Sequence, residues 1–291
     1  MEKRLQELNN SIILELIKAM GLPQSAITQR IVRTVFGKAS FRFSELLLRF
    51  DYEVGQNGSM SGTRWLLPHF VADYEAHGTE IIPKSGPLII ASNHPASYDG
   101  IVITAHIPRP DYKIIIGRIP PYLYLPHLSQ HVIFSPPAQN TFGRMQTVRE
   151  TIQHLKNGGA LLIFPRGGIE PDPAFMPNPD AEFSKWSRSL EIFIRSVPQT
   201  QVLITTVSGV ISKKIMAHPI TALRKFREDK QRMAFIYQLT RQTLSGRELF
   251  GLTPRVTFGE LLASTNQQNL LAEIEQSARR TLAKHLSIYY P

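Results

Sequence analysis

The sequence predicts an α/β fold in which a largely parallel sheet is flanked by helices and preceded by an N-terminal helical extension. After about residue 75, apolar runs of strand length alternate with stretches of helical periodicity, a pattern typical of parallel sheets with crossover helices. Before that point, apolar residues recur at helical spacing instead. We therefore divide the 291 residues into a helical region, 1–75, and a larger α/β domain, 76–291.

The N-terminal region is predicted to form two helices. Up to residue 50 it holds eight Lys/Arg and four Asp/Glu, a local balance of 8 − 4 = +4. Two arrangements fit this pattern. The helices pack on the following domain, or they form a helical hairpin at the surface of an anionic membrane. Residues 25–50 form the second, apolar and basic stretch, and the Gly, Ser and Asn residues at 51–63 predict a connecting loop. The apolar face of the first helix comprises Ile12, Ile13, Leu16, Ile17 and Met20.

The elements of the α/β domain follow from apolar runs and their breakers. A proline-rich segment at 170–179 predicts an ordered loop able to cover the crevice at the strand ends. Strands are predicted at 87–92, 112–117, 131–135, 160–164, 202–208 and 254–258, with helices near 99–106, 142–156, 183–196, 219–245 and 268–287.

A histidine follows the first of these strands, and a carboxylate lies five positions later, where a helix is predicted to begin. In such a pair, the carboxylate of Asp99 can fix the tautomer of His94 and stabilise the imidazolium formed when it takes a proton from a hydroxyl. A turn histidine beside a helix-capping aspartate is the structural alternative. The Pro/Gly loop after the strand at 160–164 ends at the same crevice, because the carboxyl ends of parallel strands share one edge.

These two loops resemble motifs of the glycerolipid acyltransferase family. The family's first motif, Asn-His-x4-Asp, is matched in full by Asn93-His94-Pro95-Ala96-Ser97-Tyr98-Asp99. Its third motif, usually Phe-Pro-Glu-Gly-Thr-Arg-Ser, corresponds to Phe164-Pro165-Arg166-Gly167-Gly168-Ile169-Glu170, where Phe164, Pro165 and Gly167 agree. The arginine of the second motif would fall at 132–136, and none is there. Residues 202–210 and 256–260 resemble the family's later strands, so the resemblance spans about 76–290.

The resemblance implies an O-acyltransferase of lipid metabolism and phospholipid biosynthesis. Such an enzyme moves a fatty acyl group from acyl-CoA or acyl carrier protein, as co-substrate, to a hydroxyl of a lysophospholipid-like or other lipid acceptor. It implies no cofactor and no metal. His94 is then the general base and Asp99 its orienting partner. A family member that binds lipid without turnover is the alternative, suggested by the altered third motif. Predicted substrate-binding residues are Asn93, Arg166, Gly167, Gly168 and Glu170, with Arg144 as a further anion contact.

Arg166 stands where the family has a glutamate, so that the charge is inverted. It could bind an acceptor phosphate or carboxylate, replace the missing arginine of the second motif, or pair structurally with Glu170 or Asp172. Main-chain N–H groups at Arg166, Gly167 and Gly168 are candidates for stabilising an oxyanion.

The net charge of +10 predicts a polyanionic neighbour. Because the basic residues are dispersed and no nucleic-acid-binding motif occurs, we expect an anionic membrane surface and no nucleic acid. The longest charge-free stretch, 119–143, contains five prolines and cannot form a regular spanning helix. Zero cysteines exclude disulfides, thiolate metal sites and a cysteine nucleophile. We therefore expect a cytoplasmic protein with peripheral membrane association.

Overall fold

The computed structural model describes residues 2–137, 139–263 and 269–291. The helices of these residues are α1 (Glu2–Ala19), α2 (Ala26–Leu66), α3 (Asp99–Thr104), α4 (Pro126–Ser129), α5 (Thr141–Lys156), α6 (Ser189–Ser196), α7 (Lys213–Met216), α8 (Pro219–Ala222), α9 (Arg227–Ser245) and α10 (Leu270–Tyr289). The strands are β1 (Glu75–His77), β2 (Leu88–Ser92), β3 (Lys113–Gly117), β4 (Val132–Ser135), β5 (Ala160–Ile163), β6 (Gln201–Ser208) and β7 (Arg255–Ala263). Short 3-10 helices lie at Leu67–His69, Thr79–Ile81, Pro120–Tyr124 and Pro179–Lys185.

The chain forms two compact units, each assembled from three segments. One unit contains the residues up to Asp73 together with Ile119–Gln130 and Ile211–Leu252. The other contains Tyr74–Arg118, His131–Val210 and Thr253–Pro291. The predicted division near residue 75 stays a prediction, since compactness alone does not show that a segment folds independently.

The first unit is helical. Ile13 and Ile17 of α1, Val32 of α2, and Met233 and Ile236 of α9 pack in one apolar cluster. This packing uses the apolar face of α1 that the sequence predicts. None of the described helices is both long enough and apolar enough to cross a bilayer.

The connecting loop predicted at 51–63 is wrong, because α2 continues to Leu66 and departs from helical geometry at Gly58 (φ 81°, ψ 169°). Two glycines of this segment serve close packing. A Cβ at Gly55 would lie 2.7 Å from the His127 ring, and one at Gly62 would lie 2.5 Å from Val54. Tertiary contacts of this kind outweigh the low helix propensity of glycine.

The second unit holds a seven-stranded sheet in the order β1-β7-β6-β2-β5-β3-β4. All neighbours are parallel except β6 and β7, which are antiparallel. Six strands lie where the sequence predicts them, and the predicted fold class is confirmed. The three-residue β1 was not predicted. The single helix predicted at 219–245 is two helices, α8 and α9. The helix predicted at 183–196 is a 3-10 helix followed by α6. Residue 268, the first of the last predicted helix, lies outside the described residues.

Helices cover both faces of this sheet. On one face, α5, α6 and α10 pack against alternate residues of β2, β5 and β6, with Ile89, Leu161 and Ile204 in one cluster. On the other face, α3 approaches β3 and β5, where a Cβ at Gly100 would lie 2.5 Å from Ile114. Since β2, β5, β6, β3 and β4 run in one direction, their carboxyl ends share an edge.

Candidate active site

His94 and Asp99 form a close pair at the carboxyl end of β2. His94 follows the strand by two residues and Asp99 begins α3, and His94 Nδ1 lies 2.7 Å from Asp99 Oδ2. Asp99 is fully buried, whereas the His94 side chain keeps 24% of its surface exposed. Nδ1 is therefore held from inside the protein, whereas Nε2 has no hydrogen-bond partner among the described residues.

The Asp99 carboxylate also closes the loop between β2 and α3. It accepts hydrogen bonds from the Ala96 N–H at 2.9 Å to Oδ2 and 3.1 Å to Oδ1. Burial raises the pKa of Asp99, while His94 and the Ala96 N–H oppose that shift. Gly100, which lacks a side chain, lets the first turn of α3 lie close to the sheet, so that the carboxylate reaches the imidazole.

The loop after β5 packs directly on this pair. The Phe164 ring stacks on the His94 ring, with centroids 4.2 Å apart and planes inclined by 22°. Glu170 Oε2 accepts a hydrogen bond from the main-chain N–H of His94 at 2.6 Å, and the Glu170 N–H donates to the His94 carbonyl at 2.8 Å. The two predicted motif loops are therefore joined at His94.

Glu170 is a buried carboxylate that contacts protein groups on both oxygens. Its second oxygen, Oε1, accepts a hydrogen bond from the Trp186 indole N–H at 2.9 Å, and only 1% of the residue is exposed. Burial raises the pKa of Glu170 to about 7, against the opposing effect of the hydrogen bonds from Trp186 and His94. Its side chain is thus engaged in the protein interior.

Asn93 links β2 to β6 through its side chain. Its Nδ2 donates to the Val207 carbonyl at 2.9 Å, and its Oδ1 accepts from the Val207 N–H at 2.8 Å. Since Asn93 is 3% exposed, its side-chain amide is buried, and both of its polar atoms bind the main chain of Val207.

Asp172 fixes the turn that follows β6. Its Oδ1 accepts from the Gly209 N–H at 2.9 Å and its Oδ2 from the Val210 N–H at 3.0 Å, while the Tyr98 hydroxyl donates to the Val210 carbonyl at 2.7 Å. Burial raises the pKa of Asp172 to about 6, although these N–H groups act to lower it. Hydrogen bonds therefore connect the loops that follow β2, β5 and β6 around His94.

Arg166 pairs with Glu182, a partner that the sequence did not suggest. Its Nε donates to Glu182 Oε2 at 3.1 Å, and the side chains of Arg166 and Glu182 are 19% and 10% exposed. A Cβ at Gly168 would lie on the Arg166 guanidinium, so Gly168 provides the space for this conformation. Burial alone would raise the pKa of Glu182, but hydrogen bonds from Lys185 and Arg166 outweigh it and lower that pKa.

One comparison with known proteins covers the residues of this site. Residues 73–208 match the family model described as Acyltransferase. This match agrees with the resemblance inferred from the motifs, and it covers His94, Asp99 and the Pro/Gly loop.

A solved structure similar to this chain is the 1-acyl-sn-glycerophosphate (LPA) acyltransferase PlsC from Thermotoga maritima, at 17% sequence identity and a TM-score of 0.48. The similarity covers 100% of both chains. No curated protein sequence matches the chain significantly.

Within the matched residues, 73–208, the predicted site residues fall into two groups. His94, Asp99, Asn93, Glu170 and the Arg166–Gly168 loop converge at the ends of β2 and β5. Arg144 lies elsewhere on the edge, in the first turn of α5 after β4, which is three strands from β2. Phe164, Trp186 and Asp172 have structural roles that the sequence did not predict, although Phe164 and Asp172 lie in or beside the third-motif loop.

Two of the candidate oxyanion donors differ in their hydrogen bonding. The Gly167 N–H donates to the Phe164 carbonyl at 3.0 Å, closing a tight turn in which Gly167 has φ +69°. The Gly168 N–H has no acceptor among the described residues. Within the described part of the chain, no group of three or more His, Cys, Asp or Glu side chains is arranged to hold a metal ion.

Proposed function

We propose that this acyltransferase domain moves a fatty acyl group from acyl-CoA or acyl carrier protein to a hydroxyl of a lysophospholipid-like acceptor, in phospholipid biosynthesis. The observation that carries the proposal is the 2.7 Å contact between His94 Nδ1 and a fully buried Asp99 carboxylate. That contact fixes the imidazole tautomer with the proton on Nδ1, leaving Nε2 as a base at the crevice. A hydroxyl acceptor needs such a base to become a nucleophile.

In the proposed reaction, His94 takes up one proton and then gives it back. The acceptor hydroxyl gives its proton to His94 Nε2 while its oxygen bonds to the thioester carbonyl carbon. The carbon–sulfur bond of the tetrahedral intermediate then breaks, and the leaving thiolate takes the proton from Nε2. Asp99 stays ionised and stabilises the imidazolium between these steps.

We assign the developing oxyanion to the Gly168 N–H rather than to that of Gly167. The Gly167 N–H is used within the turn, whereas the Gly168 N–H has no acceptor among the described residues. A preorganised main-chain donor of this kind stabilises charge that appears only in the transition state.

Three buried residues act as positioning residues in this proposal. Glu170 holds the main chain of His94, Asn93 ties the end of β2 to Val207, and Asp172 fixes the turn after β6. Their side chains contact protein groups, so we move Asn93 and Glu170 from the predicted substrate contacts to the support of the base.

We also propose that the helical unit binds an anionic membrane surface. Ile27, Ile31 and Val35 lie four residues apart on α2 and are 74%, 59% and 64% exposed. The Arg224 guanidinium donates to the Met20 carbonyl, which brings the loop after α8 next to the turn before α2. In that loop Leu223 and Phe226 are 76% and 67% exposed beside basic residues. Exposed apolar side chains with neighbouring cations suit a lipid interface.

Acyl transfer by the purified protein tests the catalytic proposal. Labelled acyl-CoA and acyl carrier protein are offered with lysophosphatidic acid and with neutral lysolipids, and products are identified by mass spectrometry. His94→Ala should abolish nearly all transfer, and Asp99→Asn should lower kcat by about 10³–10⁴-fold. His77→Ala, which removes an exposed histidine of β1 in the same unit, is the matched control and should remain active.

Full activity of folded His94→Ala protein would exclude the mechanism. Acceptor binding without transfer by the wild-type protein would instead establish the alternative, a family member that binds lipid without turnover.

A further inference from the structure

Trp186 connects the apolar core of the sheet unit to the loop that carries His94. It follows the 3-10 helix Pro179–Lys185 and is 8% exposed. Its indole has a single polar atom, Nε1, which donates to Glu170 Oε1 at 2.9 Å. The other oxygen of the same carboxylate accepts from the His94 N–H at 2.6 Å. One carboxylate therefore bridges the Trp186 ring and the main chain of the proposed base.

Apolar packing fixes the Trp186 ring. The ring lies edge-on to the Phe183 ring, with centroids 5.1 Å apart and planes inclined by 72°. Both rings belong to the apolar cluster that α5, α6 and α10 form against the sheet. Since side chains in a close-packed core keep one conformation, the indole N–H is a donor with a fixed position and direction.

The segment around Trp186 also binds the third-motif loop directly. The Ser187 N–H donates to the Pro165 carbonyl at 2.9 Å. At the other end of the segment, Glu182 accepts from Arg166 Nε at 3.1 Å. These contacts set the distance between Trp186 and the loop that ends at Glu170, so the indole hydrogen bond does not depend on a flexible connection.

The indole N–H favours the ionised form of the Glu170 carboxyl. Burial raises the pKa of Glu170, and the hydrogen bond from Trp186 is the largest effect that opposes this shift. An ionised carboxylate accepts on both oxygens, as the contacts with His94 and Trp186 require. Without the indole N–H, Oε1 would lose this donor at a residue that is only 1% exposed, a costly loss for a buried charge.

We propose that Trp186 is a positioning residue for acyl transfer. Its indole N–H fixes the Glu170 carboxylate, which in turn holds the main chain of His94 where Nε2 can take the proton of the acceptor hydroxyl. This inference rests on the proposed function, and it adds a residue outside both motif loops to the groups that orient the base. Because the effect concerns the reacting group, its loss should lower kcat and leave KM unchanged.

Steady-state kinetics of the full chain test the inference. The donor is acyl-CoA or acyl carrier protein and the acceptor is lysophosphatidic acid or a neutral lysolipid, in whichever pair the wild-type protein turns over fastest. Trp186→Phe keeps an aromatic ring but removes the N–H. It should lower kcat by about 10- to 100-fold, with the KM for donor and acceptor unchanged.

Two matched variants separate the hydrogen bond from general packing. Phe183→Leu disturbs the same apolar cluster without removing a hydrogen bond, so it should lower the free energy of unfolding and keep kcat. Trp65→Phe makes the same substitution in α2 and should keep kcat as well. Urea unfolding of each variant verifies that the protein measured is folded.

A double variant tests whether Trp186 acts through Glu170. The amide of Glu170→Gln has one carbonyl oxygen, so it cannot accept from both His94 and Trp186, and kcat should fall. In Glu170→Gln/Trp186→Phe, the carbonyl is left to the His94 N–H and the amide nitrogen faces the introduced phenyl ring. Its kcat should be at least as high as that of either single variant, whereas independent losses would multiply.

Wild-type kcat in folded Trp186→Phe protein would overturn the inference. An equal loss of kcat in Phe183→Leu protein, or losses that multiply in the double variant, would overturn it as well.

If the wild-type protein transfers no acyl group, the proposed function fails, and NMR of the His94 ring decides whether Trp186 positions it. The ¹⁵N shifts of this ring, identified by their loss in His94→Ala, should change in Trp186→Phe and stay constant in Trp65→Phe. Unchanged shifts in Trp186→Phe would overturn the inference.

Discussion

Glu170 and His94 hold each other through two reciprocal hydrogen bonds. The carboxylate accepts from the His94 N–H at 2.6 Å, and the Glu170 N–H donates to the His94 carbonyl at 2.8 Å. The orientation of the base is therefore set from two sides, by Asp99 at its ring and by Glu170 at its main chain. A loop that follows β5 thus controls a residue that follows β2.

The buried carboxyl of Glu170 should make stability depend on pH. Its pKa is raised by burial from 4.5 to about 7, so between these values the folded protein retains a proton that the unfolded chain has lost. Relative to Glu170→Gln, the free energy of unfolding of the wild-type protein should fall by up to about 3 kcal/mol as pH rises from about 4.5 to about 7. Urea unfolding at a series of pH values measures this difference, and a constant difference would contradict the assignment.

His285 of α10 should have the opposite effect. Its Nε2 lies 2.7 Å from the Ser208 hydroxyl and its Nδ1 lies 2.8 Å from the Thr257 hydroxyl, and burial lowers its pKa from 6.5 to about 3. The unfolded chain then binds a proton that the folded protein excludes. Stability from this residue is fully present above pH 6.5, and up to about 5 kcal/mol should be lost as pH falls toward 3.

The variant His285→Gln keeps one donor and one acceptor but cannot titrate, so its free energy of unfolding should depend less on pH between 3 and 6.5 than that of the wild-type protein. His77→Gln changes an exposed histidine and serves as the control. If the free energy of unfolding depends on pH equally in wild-type and His285→Gln protein, the prediction is wrong, because the folded protein then accepts a proton on His285.

Arg166 and Glu182 should show a measurable coupling in a double-mutant cycle. Both side chains are largely buried and 3.1 Å apart, so we expect a coupling of about 1 kcal/mol in the free energy of unfolding. Lys185 contacts the same Glu182 oxygen at 3.1 Å but is 59% exposed, and its coupling should be smaller. The KM for the acceptor should change little in the Arg166→Ala variant. If the coupling free energy is zero and the KM for the acceptor rises, Arg166 contacts the substrate and the structural assignment is wrong.

The exposed apolar face of α2 should determine membrane binding. Replacing Ile27, Ile31 and Val35 with serine removes apolar surface without disturbing the core, and it should weaken binding to anionic liposomes about tenfold or more. Ile192→Ser, on α6 and 48% exposed, is the control for general loss of apolar surface. Sedimentation with anionic and neutral liposomes at low and high salt measures the effect; binding that is equal for both lipids at low salt would reject an electrostatic contribution.

Six of the seven described strands could be predicted because apolar runs that end at a breaker mark them. β2 is buried along its whole length, and its sequence Leu88-Ile-Ile-Ala-Ser92 shows this directly. β1 escaped prediction because it spans only Glu75–His77 and is largely exposed; its pairing with β7 defines it. No apolar pattern marks such a strand.

One contact of the candidate site was predictable and others were not. The match of residues 93–99 to Asn-His-x4-Asp, together with the Pro/Gly loop after β5, predicted the pairing of His94 with Asp99, and the two side chains are in contact. The pairing of Arg166 with Glu182 depends on the 3-10 helix at Pro179–Lys185, whose position over the loop the sequence does not reveal.

Strand β7 joins two parts of the sheet that are far apart in the chain. It pairs with β1 on one side and with β6 on the other. During synthesis, β1 is made about 180 residues before β7. Until β7 emerges from the ribosome, β1 therefore has no strand to pair with, and one edge of β6 is unpaired. An open edge of this length is a template for pairing with other chains. A nascent chain that stalls before Arg255 would therefore aggregate through β6, even though β2, β5, β3 and β4 are already complete.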